Sequence, residues 1–463
     1  MTVGHLVDIV DKLVKLLGTE AVLLPDQVAE RASSFWDASP MQAKALVRPK
    51  TTQEVSDALK LCHATGQTVI THGGLSGCVE GAVTNRDHIV ISLERMNAIE
   101  EIDKVGSTAT IQAGAVLQTV QEKIADAGLY FPLDLGARGS CTIGGNIATN
   151  AGGINVIRYG MMRNLVLGLE AVLADGTIIS CMNKMLKNNS GYDLKQLFIG
   201  SEGTLGIVTR VIVKLELAHK SQSTALIALE DFSKVTEVLS LMKSKMGSTL
   251  SAYEVMWKNY YRAVTAEGWH KSPMSRDFSF YVVVECDGTD PDRDGEQFTG
   301  VLETALGKEL ILDAILPQSD REREDVWNIR EDFEAITVQK PYYLYDVSLP
   351  IKYMHTYIEE VQNSMSAEWP NGACYVLGHI GDGNLHLFVV PRQGDKDLHG
   401  RSDELVYTPL TKYAGSVSAE HGIGIEKKAW LNICRSEAEI ALMKQFKNSL
   451  DPKGILNPGL IFD

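Results

Sequence analysis

The chain has 463 residues, 44% of them hydrophobic and 22% charged, which is too long for one ordinary core and too apolar for a disordered polymer. Two or three globular domains are therefore expected. A formal net charge of −15, with no strongly basic half, argues against a protein that coats nucleic-acid phosphates.

From the N-terminus, Leu6, Ile9, Val10, Leu13, Leu16 and Leu17 recur at helical spacing and predict an amphipathic helix, not the uninterrupted apolar core of a signal peptide. No apolar run of about 18 residues is present, so no membrane span is expected. Residues 53–66 predict a helix with Val55, Ala58, Leu59 and Cys62 on one face. A strand at 68–71 runs into the loop HGGLSG, another follows at 88–93, and 165–181 predict a hairpin around Asp175-Gly176. Beyond Lys220 glycine thins out. Strands at 222–229, 251–257, 278–286, 342–349, 373–379 and 384–390 alternate with helices at 231–245, 321–337 and 351–365. That pattern predicts an antiparallel α+β domain with its helices on one face. From about Thr411 the glycine-rich texture returns and ends in LDPKGILNPGLIFD. The seven cysteines (62, 78, 141, 181, 286, 374 and 434) form no C-x-x-C pair, which argues against thiolate zinc clusters and a disulfide framework and for a reducing, cytoplasmic setting.

Three glycine clusters stand out: HGGLSG at 72–77, GSCTIGGNIATNAGG at 139–153 and IGSEGTLGIVT at 199–209. Clustered glycine permits positive φ and lets backbone N–H groups approach an anion. A strand followed at once by such a loop is a candidate pyrophosphate cradle; the plain alternative is a set of tight turns. None fits G-x-G-x-x-G, and no G-x-x-x-x-G-K-[ST] occurs, so a Rossmann site and a P-loop are poorly supported. Asn146, Asn150 and Ser201, interleaved among the glycines, weigh toward the cradle.

Further on, GHIGDGNLH places His379 and His386 around Gly381-Asp382-Gly383, between two apolar strands. A turn there folds two imidazoles toward one point, and SVSAEHGIG offers Glu420 beside His421. Two neutral imidazoles and one carboxylate with an open position is a common catalytic arrangement for a divalent metal. Two separately satisfied hairpin histidines are the alternative.

These stretches, with VRPKTTQEVSDALKLCHATGQTVITHGGLSG, FPLDLGARGSCTIGGNIATNAGG and FIGSEGTLGIVT, resemble the FAD-binding oxidase/transferase type 4 family, whose flavin domain is of the vanillyl-alcohol-oxidase type. Within it the chain resembles the D-lactate, glycolate and D-2-hydroxyglutarate dehydrogenase branch, over nearly its whole length and with the motifs in the same order. The resemblance implies an α+β chain: an FAD-binding domain at 1–220, an antiparallel-sheet substrate domain at 221–410, and a short C-terminal helical segment at 411–463 returning to the flavin site. It implies that His72, Gly73, Gly74, Leu75, Ser76 and Gly77 hold the FAD pyrophosphate. Pro132, Gly139, Ser140, Thr142, Gly144, Gly145, Asn146, Asn150, Gly152, Gly153, Glu202, Gly206, Ile207 and Asn457 would line the rest. Covalently flavinylated relatives carry a histidine where Leu75 stands, so the FAD is expected to be non-covalent. His72 reads as a loop hydrogen-bonder.

The resemblance also makes His379, His386 and Glu420 ligands of a divalent metal, zinc with manganese as the alternative, and His421 the catalytic base. Asp382 and Asn384 would then orient the ligands or face the flavin. Arg330, in VWNIRED, matches the arginine that grips the substrate carboxylate; an exposed helix arginine paired with Glu331 or Glu334 is the alternative. Where the hydroxyglutarate enzymes place a threonine, a lysine and an asparagine around a distal carboxylate, this chain has Glu334, Leu344 and Phe388. The expected reaction is thus oxidation of a D-2-hydroxy acid with an apolar or aromatic side chain to the 2-oxo acid. D-2-hydroxyglutarate or D-malate is the alternative substrate, and an O2-using oxidase the alternative reaction. The expected partners are the small 2-hydroxy acid and an electron acceptor such as electron-transfer flavoprotein or a quinone, with a homodimer entertained.

Overall fold

The computed structural model describes residues 8–392 and 397–463. The chain forms two compact units. One comprises Met1–Gly152, Met161–Ala218 and Glu420–Asp463; the other comprises Gly153–Gly160 and His219–Ala419.

In the first unit the N-terminal helix spans Ile9–Leu17, with Ile9 and Leu13 buried. Leu6, expected on the same face, lies outside the described residues. The helix Thr52–Thr65 begins where the Thr51 hydroxyl accepts the Glu54 N–H and ends at left-handed Gly66. Its predicted apolar face, Val55, Ala58, Leu59 and Cys62, is fully buried. A four-stranded sheet has Ile89–Ser92 at its centre, parallel to both Ala45–Val47 and Val69–His72. That central strand is buried along its whole length, as a parallel strand covered on both faces must be. A five-stranded antiparallel sheet follows, in the order Ile99–Asp103, Thr108–Gln112, Ile207–Lys214, Val166–Val172, Ile178–Ser180. Its last two strands are the predicted hairpin, turning at Gly176 with φ 85°.

The closing stretch of the chain stitches into this unit. The helix Glu437–Leu450 starts at a capping box of Ser436 and Glu439. Beyond it, the buried Asp451 carboxylate accepts the N–H groups of Ile455 (3.1 Å) and Leu456 (2.8 Å) and pairs with Lys447 at 2.6 Å. The Lys447 ammonium also donates to the Thr204 and Leu456 carbonyls.

The second unit is built on a seven-stranded antiparallel sheet, in the order Asp313–Ile315, Ser221–Leu229, Phe280–Gly288, Leu250–Trp257, Ala373–His379, Asn384–Val390, Tyr343–Ser348. The central strands Phe280–Gly288, Leu250–Trp257 and Ala373–His379 are buried at almost every position, so both faces are covered and helices do not keep to one face as expected. Alternation explains it: Ala252 and Met256 join a core with Tyr260, Tyr261 and Trp327, while Tyr253, on the opposite face, donates its hydroxyl to the Val235 carbonyl of helix Phe232–Met246. Helix Pro291–Gly307, announced by an Asp-Pro start, was not anticipated; nor were helix Lys258–Val264 and strand Asp313–Ile315. The expected helix 321–337 is two helices, Asp320–Glu331 and Glu334–Thr337. Asp332 breaks it, because its side chain accepts the Glu334 N–H and also meets the His270 ring.

Substituting Asp451→Ala leaves the buried Lys447 ammonium without its carboxylate and two backbone donors without an acceptor. A loss of about 3–5 kcal/mol is expected, read as a lowered thermal transition of this first unit. An unchanged transition would refute this role.

Candidate active site

In the first unit the strand Val69–His72 delivers the loop 73–77 against the loop 139–145. The two backbones meet closely. A Cβ on Gly73 would come within 2.6 Å of the Thr142 hydroxyl, and one on Gly74 would run into the Ser140 carbonyl oxygen. At Gly73, Gly77 and Gly139 the same loops expose bare backbone, and Ser140 is exposed beside them. Thr142 caps the helix Ile143–Thr149, and Gly144 lies so tight on Ala113 that its N–H donates to that carbonyl at 2.7 Å. Asn146 is buried within this helix. Pro132 and Ile207 are buried as well, and Gly206 leaves room for the Phe198 ring.

Four of the candidate flavin residues, Leu75, Asn150, Glu202 and Asn457, hold positive φ (56°, 52°, 52° and 41°). Such backbone is costly for a side chain larger than glycine and persists only where its surroundings fix it. The fixing groups are visible for three of them. The Asn150 side chain accepts the Arg163 N–H at 2.9 Å. The Glu202 carboxylate accepts Ile423 N–H (2.7 Å) and Gly424 N–H (2.8 Å) from the return segment. Burial pushes this carboxyl above its ordinary range, against the pull of those two donors. Asn457 accepts the Thr71 N–H at 2.8 Å and donates to the Glu202 carbonyl at 2.7 Å, tying the end of the chain to the strand that feeds the loop. Glu420 packs on Gly152, where any Cβ would strike its carboxylate, and His421 follows it in the same segment. Gly153 belongs to the other unit.

In the second unit the predicted hairpin forms from Ala373–His379 and Asn384–Val390, with Gly383 at φ 97° in the turn. His379 and His386 face each other edge-on, with ring centroids 5.4 Å apart and a ring nitrogen of each within 4.8 Å of the other. Asp382 lies exposed in the turn, while buried Asn384 donates to Asp346 at 3.0 Å. Asp346 stands opposite His386 in register, and a carboxylate oxygen of it lies within 4.8 Å of a His386 nitrogen. The N–H of Ala419, the residue before Glu420, donates to the same carboxylate at 3.1 Å.

Arg330 is buried in the last turn of helix Asp320–Glu331, its carbonyl held by the Tyr260 hydroxyl. Its partner is neither Glu331 nor Glu334. It is Glu254, 1% exposed in the strand Leu250–Trp257, which takes Nε at 3.0 Å and Nη2 at 2.7 Å on Oε2. The other oxygen, Oε1, meets His379 Nδ1 at 2.8 Å. A carboxylate only accepts, so Nδ1 carries the proton and Nε2 keeps its lone pair, toward which Arg330 Nη2 points at 3.4 Å. Burial opposes the Glu254 charge, but the His379 ring and the Arg330 guanidinium outweigh it and hold the carboxyl below its ordinary range.

The sequence reading missed Glu254 and Asp346. The available signal was a lone carboxylate inside an apolar strand, in SAYEVMW and YLYDVS, where charge is rare unless paired. Of the specificity candidates, Leu344 and Phe388 stand directly opposite each other, on the sheet face that carries Asp346 and His386. Phe388 is 2% exposed and meets Phe333 at 5.1 Å between ring centroids. Glu334 is exposed at the start of its short helix.

Comparison with known proteins adds a separate line of observation. Residues 43–182 match an FAD binding domain, and residues 218–461 match the C-terminal domain of FAD linked oxidases. The mitochondrial D-2-hydroxyglutarate dehydrogenase of Rattus norvegicus is 39% identical over 90% of this chain and 77% of its own length. The D-2-hydroxyglutarate dehydrogenase of Stutzerimonas stutzeri is 36% identical over 90% of each. In fold, the chain is similar to substrate-bound p-cresol methylhydroxylase, with a TM-score of 0.76 and 16% identity over 98% and 96% of the two chains.

His72 supplies a pH test of the flavin-side unit. Burial pushes its imidazole down to about 4, against the pull of the Ala82 carbonyl, which its Nε2 meets at 2.9 Å. Between about 6.5 and about 4 the unfolded chain takes up a proton that folded His72 refuses, so stability falls with pH across that window. Between pH 7 and pH 5, wild type should lose about 2 kcal/mol more than His72→Gln in urea unfolding. Equal losses would refute the assignment.

Proposed function

This chain belongs to the FAD-linked oxidases, and on that premise we propose that it oxidises a D-2-hydroxy acid to the 2-oxo acid with the help of a divalent metal. The observation that carries the reading is the second unit's polar cluster, in which Arg330, His379 and His386 converge on one sheet face beside an apolar pair. The donor chemistry suits a metal: His379 offers Nε2 with its lone pair, His386 stands close by, and Glu420 follows directly on the anchored Ala419. The back-to-back glycine loops suit a dinucleotide, since they expose bare backbone. When bound, FAD supplies the hydride acceptor, and zinc or manganese supplies a Lewis acid for the substrate hydroxyl.

The chain's own residues do the rest. Arg330 grips the substrate carboxylate through its planar fork and so fixes the α-carbon. A ring nitrogen of His421 takes the hydroxyl proton as the α-hydrogen leaves with its electron pair, turning C–OH into C=O. Leu75 stands at the attachment position, so FAD is held without a covalent bond. Acid precipitation should release all of it into the supernatant, and flavin left on the precipitate would sink that assignment. Seven cysteines with no disulfide among them support a reducing, cytoplasmic setting.

Leu344 and Phe388 support a substrate with an apolar side chain. Burying a phenyl or isobutyl group against them would contribute about 2 kcal/mol over lactate, at roughly 25 cal/mol per Å². A distal carboxylate packed against these two apolar side chains would lose its hydration. The second reading is D-2-hydroxyglutarate, favoured by what the similar dehydrogenases are named for.

A panel of D- and L-2-hydroxy acids with an artificial dye acceptor decides between them. Aromatic and branched D-acids should lead in kcat/KM, with D-lactate next and D-malate and D-2-hydroxyglutarate last. Chelation should abolish turnover while leaving FAD bound, and added zinc or manganese should restore it. D-2-hydroxyglutarate as the best substrate would establish the second reading, and chelator-resistant turnover would remove the metal.

A further inference from the structure

Glu254 does more than neutralise Arg330. An arginine buried beside a carboxylate needs only that the charges meet, and a third group has no reason to share the site. Here the two carboxylate oxygens are divided. Oε2 holds the Arg330 guanidinium by its Nε and Nη2, and Oε1 meets His379 Nδ1 at 2.8 Å. The register of the sheet sets this up, since Glu254 lies directly opposite His379 on the neighbouring strand. Both side chains emerge on the same face and both are buried, Glu254 almost completely, which leaves little access for water to substitute for the bond.

Resting on the functional reading above, we propose that Glu254 is the positioning residue of the substrate unit, one carboxylate that sets both the metal-binding tautomer of His379 and the orientation of the arginine that receives the substrate. With Oε1 accepting from Nδ1–H, His379 keeps its lone pair on Nε2, the nitrogen beside Arg330 Nη2, which is the tautomer a metal requires. With Oε2 holding one edge of the guanidinium, Arg330 cannot turn freely about its long side chain. Its remaining donors are thus directed before substrate arrives. Removing Glu254 therefore loosens two different ligands at once, the metal and the 2-hydroxy acid.

The test separates this from simple charge neutralisation. In the FAD-loaded protein, zinc affinity is measured by competition with a chromophoric chelator for wild type, Glu254→Gln, Arg330→Met and the double variant Arg330→Met/Glu254→Gln. The Arg330→Met background removes the buried cation, so a carboxylate kept only for that cation becomes dispensable and the double variant folds without an unpaired charge. The expected result is zinc binding weaker by about 10–100-fold in the double variant than in Arg330→Met, with FAD content equal in the two. Glu254→Gln alone should also raise KM for the 2-hydroxy acid more than it lowers kcat. Equal zinc affinity in Arg330→Met and the double variant overturns the positioning role while leaving the functional reading intact. A wild-type protein that binds no zinc or manganese and oxidises no 2-hydroxy acid overturns both.

Discussion

Charge buried on one face of a sheet organises the second unit. The helix Asp320–Glu331 is among the most polar in the chain, yet it lies against the sheet with Arg323, Trp327 and Arg330 inward, at the spacing of successive turns. Two carboxylates receive it. Glu285 accepts Arg323 Nε at 2.8 Å and Trp327 Nε1 at 2.9 Å, and Glu254 accepts Arg330. Both acids sit on adjacent central strands with side chains on the same face, where an unpaired carboxylate would be strongly disfavoured. Each pair therefore fixes the helix in rotation and translation more tightly than an apolar stripe would. The precision matters because Arg330 is the last inward residue before the helix breaks at Asp332.

The flavin-side unit uses a different device. Its loops are positioned by backbone contacts that leave no room for a side chain, and by polar side chains that reach across long stretches of sequence to hold strained residues. Glu202 and Asn457 form one such lock, joining the third glycine cluster, the His421 segment and the end of the chain. Glycine there is a matter of clearance at Gly73 and Gly74, where two backbones cross, more than of turning the chain. A fold shared with p-cresol methylhydroxylase at 16% identity is in keeping with this, since clearance constrains few side chains.

Much of this was legible in the sequence, and for identifiable reasons. Helix Thr52–Thr65 and the strands of the second unit follow from apolar periodicity, which reports burial directly. The hairpin bearing His379 and His386 follows from a glycine-rich turn between two apolar runs. The pairings that cross the chain were not legible. Nothing adjacent to Glu254 announces that its partners are Arg330 and His379, or that Asp346 will meet Asn384 and Ala419, because register between distant strands is set by the whole sheet. The split of helix 321–337 was hidden for a local reason: Asp332 fits a charged helix face as well as it fits a cap, and only its bond to the Glu334 N–H distinguishes the two. The helices on both faces were hidden because fully buried strands lose the alternation that reveals a one-sided sheet.

The bond between Thr71 and Asn457 spans 386 positions of the chain. The strand that feeds the first glycine loop therefore leaves the ribosome well before the side chain that satisfies its backbone. At a synthesis rate of ~5–20 residues per second, the interval is on the order of 20–80 s. During it the Thr71 N–H waits for its acceptor, and His219–Ala419, the larger part of the second unit, is synthesised before Asn457. The connectivity thus orders maturation: every strand of the seven-stranded sheet is made before Asn457 can bond to Thr71 in the first unit.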